Sequence, residues 1–134
     1  MRYAWVKDIP GFINYFNEDH RLIIDLIGID NYLTLREFFG KRGIYFPVRP
    51  EDCEANNDRK IITALVGDEN YRKLSEHFSQ TGIYFSSVAI IQLKKAWVIK
   101  NRHIHYNEAA DILDVSARSI YKWRQEENPI AENE

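Results

Sequence analysis

The sequence predicts a mainly α fold in which two short β-strands form a two-stranded ribbon. Two observations predict it: an internal duplication with the pattern helix–helix–strand, and a C-terminal segment with the spacing of a helix-turn-helix. We therefore expect two domains. The first, residues 1–86, would contain the duplicated unit, with repeats at about 20–47 and 59–86, and the second would comprise residues 87–134.

The composition describes a chain with a real core and little overall charge. Apolar residues make up 45% of the 134 residues, and the formal net charge is −2. A single cysteine, Cys53, excludes an internal disulfide framework and a cysteine-based zinc site. No apolar run approaches the roughly 18 residues of a membrane span, and the N-terminus lacks the apolar region of a signal peptide. These features predict a soluble, cytoplasmic chain that does not bind membranes.

The duplication spans 21 residues without gaps. Leu26–Phe46 aligns with Leu65–Phe85 at an offset of 39, and 11 of the 21 positions are identical. Each copy begins with an apolar run that ends at a glycine, Gly28 or Gly67, which is the residue type that closes helices in a left-handed conformation. Each copy is therefore expected to start with a helix.

A second helix is expected after each of these glycines. Its apolar residues recur at helical spacing: Tyr32, Leu35, Phe38 and Phe39 in the first copy, and Tyr71, Leu74 and Phe78 in the second. Asp30 and Asp68 are candidate N-caps. His20 and His77 are expected on helix surfaces or partly buried.

A β-branched and aromatic triplet follows Gly43 in the first copy and Gly82 in the second, and predicts a very short strand. Such strands need partners for their backbone groups, so pairing of the two triplets is the economical solution. The pairing residues are Ile44, Tyr45, Phe46, Ile83, Tyr84 and Phe85. The sequence leaves open whether they pair within one chain or between two, and both tyrosines are interpreted as core aromatics.

The connector between the two copies, residues 48–59, is polar and mostly acidic, which is typical of a linker. Cys53 lies in it between Asp52 and Glu54. Neighbouring negative charge disfavours a thiolate, so a nucleophilic role for Cys53 is not expected.

A long helix is predicted at about 88–102, with Ile90, Ile91, Leu93, Trp97 and Val98 on its apolar face and basic residues elsewhere. Residues 106–125 then follow the helix-turn-helix pattern. The predicted shared core of its two helices comprises Ala109, Ala110, Ile112, Leu113, Val115, Ile120 and Trp123. Ser116 is a preferred N-cap for the second helix. Asp114 occupies the turn position that usually requires a positive φ and glycine.

The outward face of the second helix has the residues that a DNA-recognition helix needs. Arg118 could donate to guanine O6 and N7, Lys122 to guanine or phosphate, and the Ser116 and Ser119 hydroxyls to phosphates. Residues 92–125 contain seven basic side chains against three acidic ones, whereas four glutamates follow in residues 126–134. The predicted DNA-binding residues are Ser116, Ala117, Arg118, Ser119, Tyr121, Lys122, Arg124 and Gln125, together with Lys94, Lys95 and Arg102.

With these motifs the chain resembles the Mor (middle operon regulator) transcription activators of phages and prophages. The resemblance covers about residues 20–125 and is most specific in Ile44-Tyr45-Phe46-Pro47 and in Ser116-x-Arg118-x-Ile120-Tyr121. It implies a homodimer held by the N-terminal domain, which activates transcription with host RNA polymerase at dyad-symmetric sites in the bacterial cell. Ser86 stands where the second copy would have a proline, and residues 1–19 match nothing in the family.

No catalytic pattern is present, and no cofactor is implied. His103 and His105 invite a metal interpretation, but only Glu108 lies near them as a third ligand, so no metal site is expected. Besides a DNA-binding activator, two hypotheses stay open. One is a protein-interaction module whose helical hairpin does not bind DNA, and the other is the DNA-binding fragment of a recombination enzyme. The second would require an acidic metal-binding cluster that the sequence does not display.

Overall fold

A computed structural model describes residues 2–40, 42–46, 57–79 and 81–133 of the chain. The prediction of a mainly α fold with a two-stranded ribbon is confirmed. The α-helices and strands are α1 (Glu18–Ile27), α2 (Ile29–Phe39), β1 (Gly43–Phe46), α3 (Asn57–Val66), α4 (Asp68–His77), β2 (Thr81–Tyr84), α5 (Val88–Lys100), α6 (Tyr106–Leu113) and α7 (Ala117–Asn133). Of the predicted linker 48–59, residues 48–56, which include Cys53, lie outside the described residues.

The chain divides into two compact units at Ser87. We call residues 16–87 the repeat unit, and residues 2–15 with 88–133 the C-terminal unit. The predicted boundary near 86 is close to this division, but the assignment of the first 15 residues to the N-terminal domain was wrong. Two short 3-10 helices, Ala4–Asp8 and Phe12–Tyr15, contact α5 instead. Trp5, Val6 and Ile9 are buried, so this segment supplies apolar side chains to the C-terminal unit.

In both copies of the repeat, one glycine ends the first helix and begins the second. Gly28 has φ 88° and ψ 157°, and Gly67 has φ 96° and ψ 157°. The positive φ agrees with the expectation, but ψ lies far from the left-handed helical value, in a region that only glycine adopts readily. Since the second helices begin immediately after these glycines, Asp30 and Asp68 lie in the first turn rather than at the N-cap. A negative charge in the first turn stabilises the helix, because it interacts favourably with the positive end of the helix dipole.

The ribbon forms within one chain. β1 and β2 pair antiparallel, with Ile44 opposite Ile83 and Tyr45 opposite Gly82. One face of the ribbon is buried and the other is exposed: Ile44, Phe46, Ile83 and Phe85 are buried, whereas Tyr45 and Tyr84 are 54% and 60% exposed. The interpretation of these two tyrosines as core aromatics was therefore wrong. Strand alternation explains it, because residues flanking a buried position on the same strand point to the opposite face.

The four helices of the repeat unit contact one another in a ring, α1 with α2, α2 with α3, α3 with α4 and α4 with α1. Aromatic side chains of the ribbon and of the residue that follows β2, Phe85, fill the space against the helices. The Phe85 ring lies 6.1 Å from Tyr32 and 6.5 Å from Phe39. One α2 residue at helical spacing, Phe38, is 54% exposed and does not belong to this core.

A polar chain of hydrogen bonds crosses this core, and the sequence had not predicted it. Arg36 is 4% exposed, and its Nε and Nη2 donate to the Tyr32 hydroxyl at 3.1 and 2.8 Å. His20, also 4% exposed, lies 2.7 Å from that hydroxyl through Nδ1 and 3.0 Å from the Tyr84 carbonyl through Nε2. A carbonyl only accepts, so Nε2 carries the proton and Nδ1 accepts from Tyr32. His20 was expected on a helix surface or partly buried, and the structure buries it fully in the core.

Burial explains the titration behaviour of this chain of groups. Desolvation, reinforced by the Arg36 charge, lowers the pKa of His20 below 6.5. Desolvation raises the pKa of Tyr32 to about 12, although Arg36 opposes that shift. Arg36 itself is held by neutral groups, since Nη1 donates to the Ser86 carbonyl at 2.8 Å and the guanidinium lies 5.4–5.5 Å from three aromatic ring centres.

Candidate nucleic-acid interface

The tight turn of the helix-turn-helix is built around Asp114. Its φ of 56° and ψ of 52° are left-handed, and among the described residues it is the only non-glycine with a positive φ. The N–H groups of Asp114 and Val115 both donate to the carbonyl of Ala110, which closes the end of α6. Asp tolerates this conformation better than most residues do. The predicted positive φ at Asp114 is confirmed.

Ser116 caps α7 as predicted. Its Oγ accepts from the Ser119 N–H at 3.1 Å and lies 3.0 Å from the Ser119 hydroxyl. The two hydroxyls therefore lie together at the N-terminus of α7, where helix N–H groups and the helix dipole favour anions such as phosphate.

Small and apolar residues hold α6 against α7. Ala109, Ala110, Leu113 and Ile120 are all buried, as the pattern predicted. Ile112 differs, because it is 38% exposed and contributes little to this core. A similar difference occurs in α5, where Ile91 is 41% exposed although it was placed on the apolar face.

One side of α7 presents a polar and basic surface, which we call the α7 face. Its residues line an open groove: Arg118, Tyr121, Lys122, Gln125 and Glu126. Tyr121 is 60% exposed, and Arg118, Lys122 and Gln125 are exposed as well. Ala117 lies half-buried at the start of the helix. Four of the predicted base-contacting positions are thus brought together on one accessible side.

Arg124 does not belong to the α7 face. Its Nη2 donates to the carbonyl of Ile104 at 2.7 Å and approaches that of Asn101 at 3.4 Å, while its Nε is buried and has no partner among the described residues. It therefore fixes the segment between α5 and α6 from inside. Helical spacing contains the signal for this, because Arg124 lies four residues after the fully buried Ile120.

Lys95, one of the three basic residues predicted outside α7, contacts the α7 face. Lys95 Nζ lies 3.8 Å from one carboxylate oxygen of Glu126, and Lys122 Nζ lies 4.0 Å from the other. Glu126 thus bridges a lysine of α5 and a lysine of α7. Lys94 is half-buried on α5, and Arg102 is exposed in the turn that follows it.

If the α7 face binds DNA, neutralising Glu126 should strengthen that binding. Glu126→Gln removes a negative charge about 4 Å from each of two lysines, and one such charge interaction is worth about 1 kcal/mol in water, or about fivefold in affinity at low salt. Glu76→Gln, an exposed acid of the repeat unit, is the matched control. Duplex affinity should be measured from 50 to 200 mM salt. Equal affinities of both variants would contradict a role of the Lys95–Glu126–Lys122 cluster at the interface.

Of the two histidines that suggest a metal site, His105 has another structural role and His103 is exposed in the turn after α5. His105 caps α6, because its Nδ1 accepts from the Asn107 N–H at 3.2 Å, and its ring stacks on Tyr106 at 4.5 Å. Within the described ranges, no three His, Cys, Asp or Glu side chains come together as a metal would require. The same part of the chain holds no helix with the length and apolar character needed to cross a membrane.

Comparison of the chain with protein-family models, with curated proteins and with solved structures gives no match. The functional interpretation therefore depends on the geometry of the α7 face and on the motifs in the sequence.

Proposed function

We propose that this protein is a sequence-specific, duplex DNA-binding regulator of transcription whose recognition helix is α7. The observation that supports the proposal best is the α7 face itself. Four residues with hydrogen-bonding side chains, Arg118, Tyr121, Lys122 and Gln125, lie exposed on one side of a capped helix. The opposite side is anchored on α6 through a helix-turn-helix turn. A helix held in this way fits the major groove.

In this proposal each residue of the α7 face has a chemical role. Arg118 makes no ion pair within the described residues, so its guanidinium is available to donate to both O6 and N7 of guanine. Lys122 contacts a base or a phosphate, and the hydroxyls of Ser116 and Ser119 position the helix on phosphates.

The resemblance to Mor activators adds the biological setting to the proposal: activation of phage or prophage genes together with host RNA polymerase in the bacterial cytoplasm. The ribbon pairs within one chain, so a homodimer of the kind that the resemblance implies would have to form through another surface.

The test is loss of sequence discrimination in Arg118→Ala with Lys122→Ala. Selection from a randomised duplex library first provides the preferred sequence. Each lost base contact is expected to cost about 1–3 kcal/mol on that sequence and much less on a scrambled duplex. Arg72→Ala with Lys73→Ala removes the same charge from exposed positions of the repeat unit and controls for non-specific electrostatics. Equal binding by both double variants would overturn the assignment of the α7 face.

The protein-interaction module is the second candidate, and the exposed aromatics Phe38, Tyr45 and Tyr84 of the repeat unit favour it. It predicts no salt-dependent affinity for duplex DNA, because such affinity comes from phosphate contacts. Absence of enrichment in the selection, together with absence of any salt dependence, would support this candidate and contradict a DNA-binding function.

A further inference from the structure

We propose that the protein binds DNA as a single chain with one recognition helix, on an unsymmetrical site. This inference rests on the proposed function and specifies the class of target. It follows from the internal symmetry of the repeat unit, in which the two copies of the duplicated segment pair with each other as two subunits of a symmetric dimer would.

The register of the ribbon shows this symmetry. Ile44 and Ile83 are equivalent in the alignment of the copies, and they lie directly opposite each other. The flanking pairs, Gly43 with Tyr84 and Tyr45 with Gly82, exchange with each other when the copies are exchanged. A two-fold axis of the ribbon therefore passes between Ile44 and Ile83, and both sides of that axis belong to one chain.

The packing of the core shows the same two-fold symmetry, because equivalent residues of the two copies make equivalent contacts. Phe85, directly after the strand of the second copy, lies 6.1 Å from Tyr32 of the first copy. Phe46, on the strand of the first copy, lies 6.0 Å from Tyr71 of the second, and Tyr71 is the equivalent of Tyr32. The contacts of α1 with α4 and of α2 with α3 are likewise equivalent. Each copy thus completes the core of the other.

A symmetric dimer uses the same self-complementary patch on both subunits. Here the self-complementary patch is the buried side of the ribbon, and its residues Ile44, Phe46, Ile83 and Phe85 are 1–3% exposed. A second chain could use this patch only by displacing β1 or β2 from its own chain. The described residues contain one helix-turn-helix for two copies of the repeat, so one folded chain carries one recognition helix.

The experiment locks the ribbon inside the chain and asks whether DNA binding persists. Tyr45→Cys and Gly82→Cys are opposite each other on the exposed face, and directly opposite Cβ atoms lie close enough for a disulfide to form. Tyr45 is 54% exposed, and a Cβ at Gly82 would meet its nearest heavy atom at 3.7 Å, so both positions accept a cysteine. Cys53→Ser in the background removes the native thiol.

We expect the oxidised protein to be an internally cross-linked monomer. It should bind the duplexes enriched by the library selection with one chain per duplex, and its Kd should agree with that of the reduced protein within about twofold. The enriched motif should be unsymmetrical. The control Tyr45→Cys with Cys53→Ser has one thiol and cannot form an internal disulfide, so its monomer should keep the mobility of the reduced protein on oxidation.

The outcomes separate this inference from the proposed function. Covalent dimers on oxidation, loss of binding on oxidation alone, two chains per duplex, or a dyad motif with half-sites about 10–11 base pairs apart would each overturn the single-chain inference. Failure of both reduced and oxidised protein to bind any enriched duplex would overturn the DNA-binding function instead.

Discussion

Trp5→Ala is expected to unfold most of the C-terminal unit and thereby to abolish duplex binding. Trp5 is 6% exposed on a 3-10 helix that contacts α5, and truncation of a buried Trp or Phe to Ala costs about 3–5 kcal/mol. Since a whole domain is stable by about 5–15 kcal/mol, a unit of this size has little reserve. The measurement is denaturant unfolding followed by near-ultraviolet circular dichroism, with duplex affinity determined in parallel.

Two further variants make this result specific. Trp5→Phe should show a smaller loss, because it keeps an aromatic ring in the site. Phe38→Ala removes a 54% exposed aromatic ring from the repeat unit and should leave duplex affinity unchanged. Unchanged unfolding of Trp5→Ala would show that the N-terminal segment is not part of the core of the C-terminal unit.

The second large effect is expected from Tyr32→Phe, which should destabilise the repeat unit by about 2–4 kcal/mol at pH 7. The Tyr32 hydroxyl accepts from two N–H groups of Arg36 and donates to His20, so its removal leaves several buried polar groups without a partner. Tyr45→Phe is the control, because Tyr45 lies on the exposed face of the ribbon in the same unit. An equal or smaller loss in Tyr32→Phe than in Tyr45→Phe would contradict a stabilising role of the hydrogen bonds among His20, Tyr32 and Arg36.

Titration of His20 and of Tyr32 is expected to lower the free energy of unfolding at acid and at alkaline pH, respectively. Because the pKa of His20 is lowered in the folded state, the unfolded chain binds more protons below about pH 6.5, and stability falls as the pH decreases from there. The pKa of Tyr32 is raised to about 12, so between pH 10 and 12 the folded state keeps a proton that the unfolded chain loses. Stability therefore falls again as the pH rises, by about 1 kcal/mol at pH 11.

Thermal unfolding from pH 4.5 to 11 tests this prediction. His20→Gln should flatten the acid side of the profile, and Tyr32→Phe should flatten the alkaline side. His77→Gln, at an exposed position of α4, is the control for loss of a histidine. If His20→Gln kept the acid-side slope of the native chain, the buried histidine would not be its source.

Local sequence was sufficient to predict the helices, the glycines between them and the turn before α7. These features depend on neighbours within a few residues: the helical spacing of apolar side chains, the cap at Ser116 and the positive φ at Asp114. The duplication also predicted that two strands must pair, since each of them leaves backbone groups without partners. The fold class and most of the α7 face were therefore predictable from the printed sequence.

The tertiary structure decided the features that depend on distant partners. Pairing within one chain joins residues 35 to 41 positions apart, and periodicity holds no information on which chain supplies the partner strand. Arg36 and His20 are buried because the carbonyls of Ser86 and Tyr84, 50 and 64 residues away, accept their N–H groups. Trp5 has no periodic pattern around it, and only its packing in the C-terminal unit shows its role. In each case the free energy comes from contacts that a local pattern does not contain.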